Sequence, residues 1–280
     1  MRKLDTVEIR HALKDMAQEA NYGLTNNVVQ RIEACAEKET NPLAKDILEK
    51  IQENITIAKE EHIPLCQDTG MACVFLEIGQ QVYLEGMDLY QAVNEGIRQG
   101  YREGYLRKSI VADPLRRTNT GDNTPANIHV DIVPGDKVKI EFAPKGFGSE
   151  NMSRLKMFPP SAGVEGVREF VVETVKIAGG NPCPPIVVGV GLGAGFDRVT
   201  YLAKKALLRD MDSYNPDPFY KQLEEQLLED INKLDIGPQG FGGKTTALKV
   251  NIIAEPTHIA GMPCAVNINC HVSRHRVRII

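Results

Sequence analysis

The run Cys66-Gln67-Asp68-Thr69-Gly70 brings a thiol, an amide, a carboxylate and a flexible turn together. Pro64 cannot continue the helical pattern before it, and Gly70 readily takes a positive φ, so the run is predicted to be a tight loop. A thiolate binds soft or borderline metals and a carboxylate can move a proton, which suggests a metal-assisted acid–base site. A buried structural cysteine followed by an Asx turn at Asp68 is the alternative.

Two further cysteines stand in turns. Cys183 lies in Asn181-Pro182-Cys183-Pro184-Pro185, where prolines stiffen the backbone and remove N–H groups, which is costly for packing but useful for fixing a ligand. Cys270 opens the polar run Cys270-His271-Val272-Ser273-Arg274-His275. The remaining cysteines, Cys35, Cys73 and Cys264, lie on or at the entrance to apolar segments and are predicted to be packing residues. Such scattered cysteines argue against a disulfide scaffold.

Two polar stretches could bind an anion. The first contains Arg107, and the planar fork of arginine matches a carboxylate, although a solvated loop is the alternative. The second, Lys145 to Asn151, is predicted to be a glycine-rich loop. Its residues Gly146, Gly148 and Ser149 could turn successive backbone N–H groups toward an anion.

Two other segments imitate nucleotide-binding motifs. Gly189 to Gly195 fits the dinucleotide fingerprint, with Asp210 about twenty residues further on. The acidic residue should end a second parallel strand, whereas a helix and a loop are predicted there, so a nicotinamide dehydrogenase is the weaker hypothesis. Gly243-Lys244-Thr245 imitates the end of a phosphate-binding loop, but Pro238 stands where its first glycine should be. ATP or GTP binding is therefore not expected.

The composition indicates an ordinary soluble chain. Its 280 residues, 42% hydrophobic and 25% charged, suffice for one or two domains. No apolar run approaches the roughly 18 to 20 residues that span a bilayer, and the N-terminus lacks the apolar core of a signal peptide. A cytoplasmic protein that binds no membrane is expected. The net charge of −4 gives no reason to expect nucleic acid, so local Arg and Lys must hold any anionic substrate.

The elements that position these residues are predicted from hydrophobic periodicity. Residues 6–62 form successive helices, and a helix over 89–105 carries glycines four apart on one face, which indicates close approach to another element. Strands over 127–133 and 137–142 should form a hairpin around Pro134-Gly135-Asp136, and residues 73–78 should pair with 81–84.

These elements predict a mixed α+β fold, with N-terminal helices followed by predominantly antiparallel sheets and packed helices. We place a subdomain boundary between residues 1–155 and 156–280. Both subdomains should contribute to one site, because the candidate cysteines come from both.

Five segments of the chain, taken in order, resemble the iron–sulfur (class I) fumarases and tartrate dehydratases. The resemblance covers nearly the whole chain and is closest to the α subunit of the two-subunit form. Phe147 and Glu150 depart from it, since relatives often have Gly and Ala there. The segments are Pro-Leu-Cys-Gln-Asp-Thr-Gly, Lys-Gly-Phe-Gly-Ser-Glu-Asn, Asn-Pro-Cys-Pro-Pro, Gly-Pro-Gln-Gly-Phe-Gly-Gly-Lys-Thr and Asn-Cys-His-Val-Ser-Arg-His.

The resemblance implies reversible hydration of fumarate to L-malate, or dehydration of tartrate, with a [4Fe–4S] cluster. Three thiolates leave one iron of a four-iron cluster open to the substrate, as catalysis requires. The cluster ligands implied are Cys66, Cys183 and Cys270. Asp68 is implied to be catalytic, and the substrate-binding residues predicted with it are Gln67, Arg107, Gly146, Gly148 and Ser149.

The resemblance also implies a partner chain. One carboxylate is visible, but no convincing second proton-transfer group is, and the single-chain relatives carry that group in a C-terminal domain missing here. A β subunit is therefore expected to complete a site for a small dicarboxylate, with α–α pairing giving an α₂β₂ assembly. A metal-stabilised binding subunit without chemistry of its own is the alternative from another class.

Overall fold

The computed structural model describes all 280 residues, which form two compact units. The first unit comprises Met1–Thr25, Ile55–Phe147 and Arg274–Ile280, and the second comprises Asn26–Asn54 and Gly148–Ser273. A boundary between subdomains at residues 155 and 156 stays a prediction. Near that position, the chain passes from the first compact unit to the second between residues 147 and 148. Both units also contain segments that are distant in sequence.

The chain contains eight α-helices and ten strands. The helices are α1 Thr6–Tyr22, α2 Asn26–Lys38, α3 Pro42–Glu61, α4 Leu89–Glu103, α5 Phe147–Glu150, α6 Gly163–Ala178, α7 Phe196–Ala206 and α8 Pro218–Asn232. The strands are β1 Arg2–Asp5, β2 Met71–Gly79, β3 Val82–Glu85, β4 Asn127–Val133, β5 Val138–Lys145, β6 Arg154–Phe158, β7 Ile186–Ala194, β8 Ala247–Thr257, β9 Met262–Asn269 and β10 Arg276–Ile279. The predicted α+β class and the run of N-terminal helices are confirmed. None of the helices combines the length and apolar character that crossing a bilayer requires.

The first unit contains a four-stranded sheet in the order β10-β5-β2-β4. Its strand β2 pairs antiparallel with β5 and parallel with β4. The hairpin predicted between β4 and β5 is therefore wrong, since β2 lies between them. The physical reason is that β2 is apolar at almost every position and is buried over nearly its whole length, which favours a central place, whereas β4 is more exposed and forms an edge.

A second small sheet in this unit pairs β1 with β3 in parallel, with Arg2 opposite Val82. The predicted pairing of β3 with β2 is wrong. The sequence of the four-residue strand β1 does not predict a strand, yet β1 pairs with β3 and its residue Leu4 is buried. Across the chain, four strand pairings are antiparallel and three are parallel, so antiparallel pairing predominates only narrowly.

Helices α1 and α4 pack closely in the first unit. A Cβ atom on Gly96 would lie 2.5 Å from the carbonyl oxygen of Arg10, and one on Gly100 would lie 2.7 Å from that of Lys14. Only glycine allows the two backbones to approach so closely, so the predicted close approach is confirmed as helix–helix packing. The core beneath includes Leu13 and Tyr101.

The second unit contains a sheet in the order β6-β9-β7-β8, with β7 antiparallel to β9 and parallel to β8. The glycines of the dinucleotide-like segment belong to strand β7 itself. A Cβ atom on Gly189 or on Gly191 would lie 2.2 Å from a carbonyl oxygen of α7. These glycines therefore serve close packing of α7 on the sheet.

Candidate functional site

The Cys66–Gly70 segment joins α3 to β2 in the first unit as the tight loop that the sequence predicts. Gly70 has a φ of 79°, and a Cβ atom there would lie 2.6 Å from the carbonyl carbon of Pro144. Before the loop, the N–H of Leu65 donates to the carbonyl of Asn21 at 2.9 Å. Cys66 and Asp68 are both half-buried, so their side chains keep access to a bound group.

The carboxylate of Asp68 is fixed by two backbone N–H groups. Its Oδ1 accepts from Gly70 at 2.9 Å, which forms the Asx turn considered from the sequence, and its Oδ2 accepts from Phe147 at 2.9 Å. A Cβ atom on Gly146 would lie 3.3 Å from Oδ2, so the glycine leaves room for the carboxylate. Two such bonds hold the carboxylate in one orientation beside the cysteine loop.

Three buried side chains that the sequence did not single out hold the carbonyls of this loop. The Tyr101 hydroxyl donates to the carbonyl of Thr69 at 2.7 Å and to that of Gly70 at 3.1 Å. Asn123 Nδ2 donates to the Gly70 carbonyl at 3.2 Å, and Arg274 Nη2 donates to that of Asp68. Burial raises the pKa of Tyr101, which keeps the phenol a neutral donor.

No clear sequence signal marks these three residues. Tyr101 shares the apolar periodicity of α4, Asn123 is one of many amides in a polar loop, and Arg274 is noticeable only because it follows Cys270 by four positions.

Arg107 and Gln67 both lie at this loop. The carbonyl of Arg107 accepts from Thr69 Oγ1 at 3.2 Å, and the side chains of Arg107 and Gln67 are exposed. The structure thus brings Gln67, Asp68 and Arg107 together in the first unit. A guanidinium and an amide are groups that can bind a dicarboxylate, and a carboxylate can move a proton.

The predicted glycine-rich loop containing Gly146, Gly148 and Ser149 contains one helical turn, α5. The N–H of Phe147 bonds to Asp68, so that donor is not available to an anion. Gly148 is exposed, whereas Ser149 is buried and its carbonyl accepts from Met152 at 3.1 Å. The segment therefore orients Asp68, and a direct role for its N–H groups in substrate binding stays a prediction.

The turns that carry Cys183 and Cys270 are adjacent in the second unit. Cys183 is exposed and has a φ of 55°. The N–H of His271 donates to its carbonyl at 3.3 Å, and His271 Nδ1 lies 3.0 Å from the same oxygen. Gln239 Nε2 donates to the carbonyl of Pro184 at 3.0 Å. These contacts hold the two turns together with the Cys183 side chain at the surface.

The other three cysteines lie in packed surroundings. Cys73 and Cys264 are buried in strands, and burial raises the pKa of Cys264 to about 12. Desolvation also raises the pKa of Cys35, beyond the opposing effect of a hydrogen bond with Thr245. A metal ligand must be a thiolate, so protonated thiols of this kind are poor ligands.

No three or more His, Cys, Asp or Glu side chains are arranged in the structure to hold a metal ion. Cys66 belongs to the first unit, and Cys183 and Cys270 belong to the second. The assignment of these three cysteines to one cluster therefore stays a prediction, as do the roles of Asp68, Gln67 and Arg107.

In the segment Gly243-Lys244-Thr245, which imitates a phosphate-binding loop, two backbone N–H groups donate to carboxylates of the chain itself. The N–H of Lys244 donates to Glu39 Oε2 at 2.8 Å, and that of Gly243 donates to Asp235 Oδ1 at 2.9 Å. Carboxylates thus take the positions that a phosphate would need.

Comparison with known proteins identifies the family. A family model described as fumarate hydratase (fumerase) matches residues 10–278. A Methanocaldococcus jannaschii protein with the provisional name L(+)-tartrate dehydratase subunit alpha is 42% identical over 280 residues, with 98% of each chain covered. The L(+)-tartrate dehydratase subunit alpha of Escherichia coli O157:H7 is 32% identical, covering 92% of this chain and 86% of its own. That of Escherichia coli K12 is 31% identical with the same coverage.

These matches place the chain in the class of hydro-lyases, which add or remove water. Within that class, the chain belongs to the fumarate hydratase (fumerase) family.

Proposed function

We propose that this chain is the α subunit of a [4Fe–4S] hydro-lyase that acts on a four-carbon dicarboxylate. The sequence resemblance predicts reversible hydration of fumarate to L-malate. The names of the relatives favour a second candidate, dehydration of L(+)-tartrate. In the dehydration direction, both reactions remove a hydroxyl from one carbon and a proton from its neighbour, so one site chemistry serves both.

The thiols of the chain fit such a cluster by their surroundings. Cys66, Cys183 and Cys270 are exposed or half-buried in turns, while the other three lie in packed segments. Burial raises the pKa of Cys35 and Cys264, which favours their thiol form. When bound, the cluster would supply an iron without a protein ligand, which acts as a Lewis acid toward the substrate hydroxyl.

The residues of the chain would bind the substrate and move a proton. Arg107 and Gln67 would donate to the substrate carboxylates, for which the arginine fork is well suited. Asp68 would take or return the proton at the carbon next to a carboxylate. The N–H groups of Gly70 and Phe147 hold its carboxylate ready, so little reorganisation is needed at the moment of transfer.

The observation that carries the proposal is the loop at residues 66–70. The half-buried thiol of Cys66 lies two residues before Asp68, whose carboxylate is oriented by two backbone N–H groups. Buried side chains donate hydrogen bonds to the carbonyls at the end of the same loop. The thiol and the oriented carboxylate in one loop are the combination that a metal-assisted proton transfer requires.

The test is a steady-state assay of the reconstituted chain on fumarate, L-malate and L(+)-tartrate, with and without a candidate β subunit. We expect turnover of one pair of acids by the complex, and turnover at least about 10²-fold lower from the chain alone, because single oriented donors at a charge-developing site contribute that much. We further propose an α₂β₂ assembly, which the mass of the active complex would check.

Two results would contradict this proposal. Full activity from the chain alone would overturn its role as one subunit of a complete enzyme. A complex that holds the cluster and turns over none of the acids would favour the binding-subunit alternative.

Gly146→Ala is expected to lower kcat about tenfold while the cluster stays bound. The added Cβ would meet Asp68 Oδ2 at 3.3 Å and displace the carboxylate by a few tenths of an ångström, and small misplacements of reacting groups are costly. The matched control is Gly23→Ala, where a Cβ atom meets nothing within 4 Å. Equal kcat values for both variants would show that the position of Asp68 is not critical.

A further inference from the structure

Hydrogen bonds to its carbonyl oxygens hold the backbone of the loop at residues 68–70. All three consecutive carbonyl groups accept from buried side chains: Asp68 from Arg274, Thr69 from Tyr101, and Gly70 from both Tyr101 and Asn123. Tyr101 and Asn123 are 0% exposed and Arg274 is 4% exposed. Such bonds fix the loop more firmly than a turn motif alone would, because the donors are themselves locked by packing.

Arg274 carries more donors than the loop uses. Its Nε and Nη1 atoms are buried and have no hydrogen-bond partner. Among the other arginines, Arg10, Arg168 and Arg209 each bury one such nitrogen, so Arg274 is the arginine with two. A buried cation with unsatisfied N–H groups is costly, and its retention needs an explanation beyond loop support.

Within the chain, no acidic group bonds to either of these two nitrogens. Both carboxylate oxygens of Asp68 accept from backbone N–H groups, of Gly70 and Phe147. Tyr101 interacts electrostatically with Arg274, but burial keeps it a neutral phenol. A cluster held by thiolates carries negative charge, and its sulfur atoms accept N–H hydrogen bonds.

We propose that Tyr101, Asn123 and Arg274 are positioning residues for the Cys66 loop, and that Arg274 also donates from Nε or Nη1 to sulfur atoms of the cluster that Cys66 would bind. The inference rests on the proposed function. It assigns to the chain a second layer of contacts that orients a ligand and adjusts the electronic properties of the bound group.

Tyr101→Phe tests the positioning role, because it removes only one hydroxyl. In the full chain with reconstituted cluster, we expect a chelator to remove iron about tenfold faster than from the unaltered chain, since contacts behind a ligand typically change metal affinity by 10- to 100-fold. The matched control is Tyr22→Phe, whose hydroxyl donates to the carbonyl of Gly104 at 2.8 Å, away from this loop. The control should lose iron at the rate of the unaltered chain.

Arg274→Gln and Arg274→Lys test the donation to sulfur through the reduction potential of the cluster. Removing a positive charge and N–H donors disfavours the reduced form, so the potential should become more negative in Arg274→Gln and change less in Arg274→Lys. Arg276→Gln is the control. That arginine donates to the carbonyls of His275, Glu19 and Gly23, so its loss should affect stability and leave the potential unchanged.

Equal rates of iron loss in Tyr101→Phe and Tyr22→Phe would overturn the positioning role. A potential unchanged in both Arg274 variants, with only their melting temperature lowered, would overturn the donation to sulfur. If Arg274→Gln does not fold, Arg274→Lys still tests the donation to sulfur and Tyr101→Phe still tests the positioning role. Failure of the unaltered chain to take up a cluster is a different result, because it would contradict the proposed function itself.

Discussion

Replacing Cys183 with serine is expected to abolish both the visible iron–sulfur absorption and the activity of the assembled hydro-lyase. A serine hydroxyl is a hard and weakly acidic ligand, whereas iron–sulfur clusters are held by thiolates. Cys183 is exposed on a turn with a φ of 55°, and neighbouring prolines and the contact with His271 fix the position of its backbone. Iron content and the absorption spectrum after anaerobic reconstitution measure the effect.

Cys35→Ser is the matched control for this prediction. Cys35 is half-buried in α2, and burial raises the pKa of its thiol, so serine should retain both the cluster and the activity. The assignment of ligands would be wrong if the absorption disappeared in Cys35→Ser and persisted in Cys183→Ser.

Asp68→Asn should lower turnover by about 10²-fold or more with the cluster intact, because the change removes the only carboxylate of the loop, the group expected to accept the proton. Asparagine keeps one oxygen that can accept from Gly70, so the Asx turn should survive. The effect should appear in kcat more than in KM. Kinetics of the assembled enzyme, together with the absorption of the cluster, separate loss of chemistry from loss of the cluster.

Asp113→Asn controls for the structural side of this substitution. The carboxylate of Asp113 also accepts from two backbone N–H groups, of Leu115 and Arg116, in an exposed turn. Its replacement should leave kcat unchanged. Near-normal turnover in Asp68→Asn would remove Asp68 from the mechanism and leave it the role of holding Phe147.

The sequence predicted those parts of the fold where local pattern and tertiary packing agree. The periodic apolar residues of α1, α2 and α3 and the glycines of α4 gave the correct helices and the correct close contact. The hairpin of β4 and β5 was wrong because the turn signal is local, whereas the neighbour of a strand is decided by which strand buries most apolar surface. Here that strand is β2, which comes earlier in the chain.

Within the candidate site, the sequence identified residues that stand out in turns and missed those that resemble core residues. Cys66, Asp68 and Cys183 stand within two residues of Pro or Gly, which marks them as turn residues. Tyr101 follows the spacing of core residues. Its hydrogen bond to the carbonyl of Thr69 joins residues distant in sequence, so the hydrophobic periodicity of the sequence does not reveal it. The structure also gave Phe147 a contact with Asp68, which links two motifs that the sequence could only list separately.

The interleaved course of the chain has a consequence for its biosynthesis. The first unit needs β10, which pairs with β5 from Arg276 to Ile279, so it cannot be complete until residues 274–280 have been synthesised. Both segments of the second unit, ending at Ser273, are translated earlier. Domains generally fold as units, so β5 keeps an unpaired sheet edge until β10 arrives. Cys66 lies in the unit whose sheet closes last, so its loop reaches its final surroundings only when the final strand has paired.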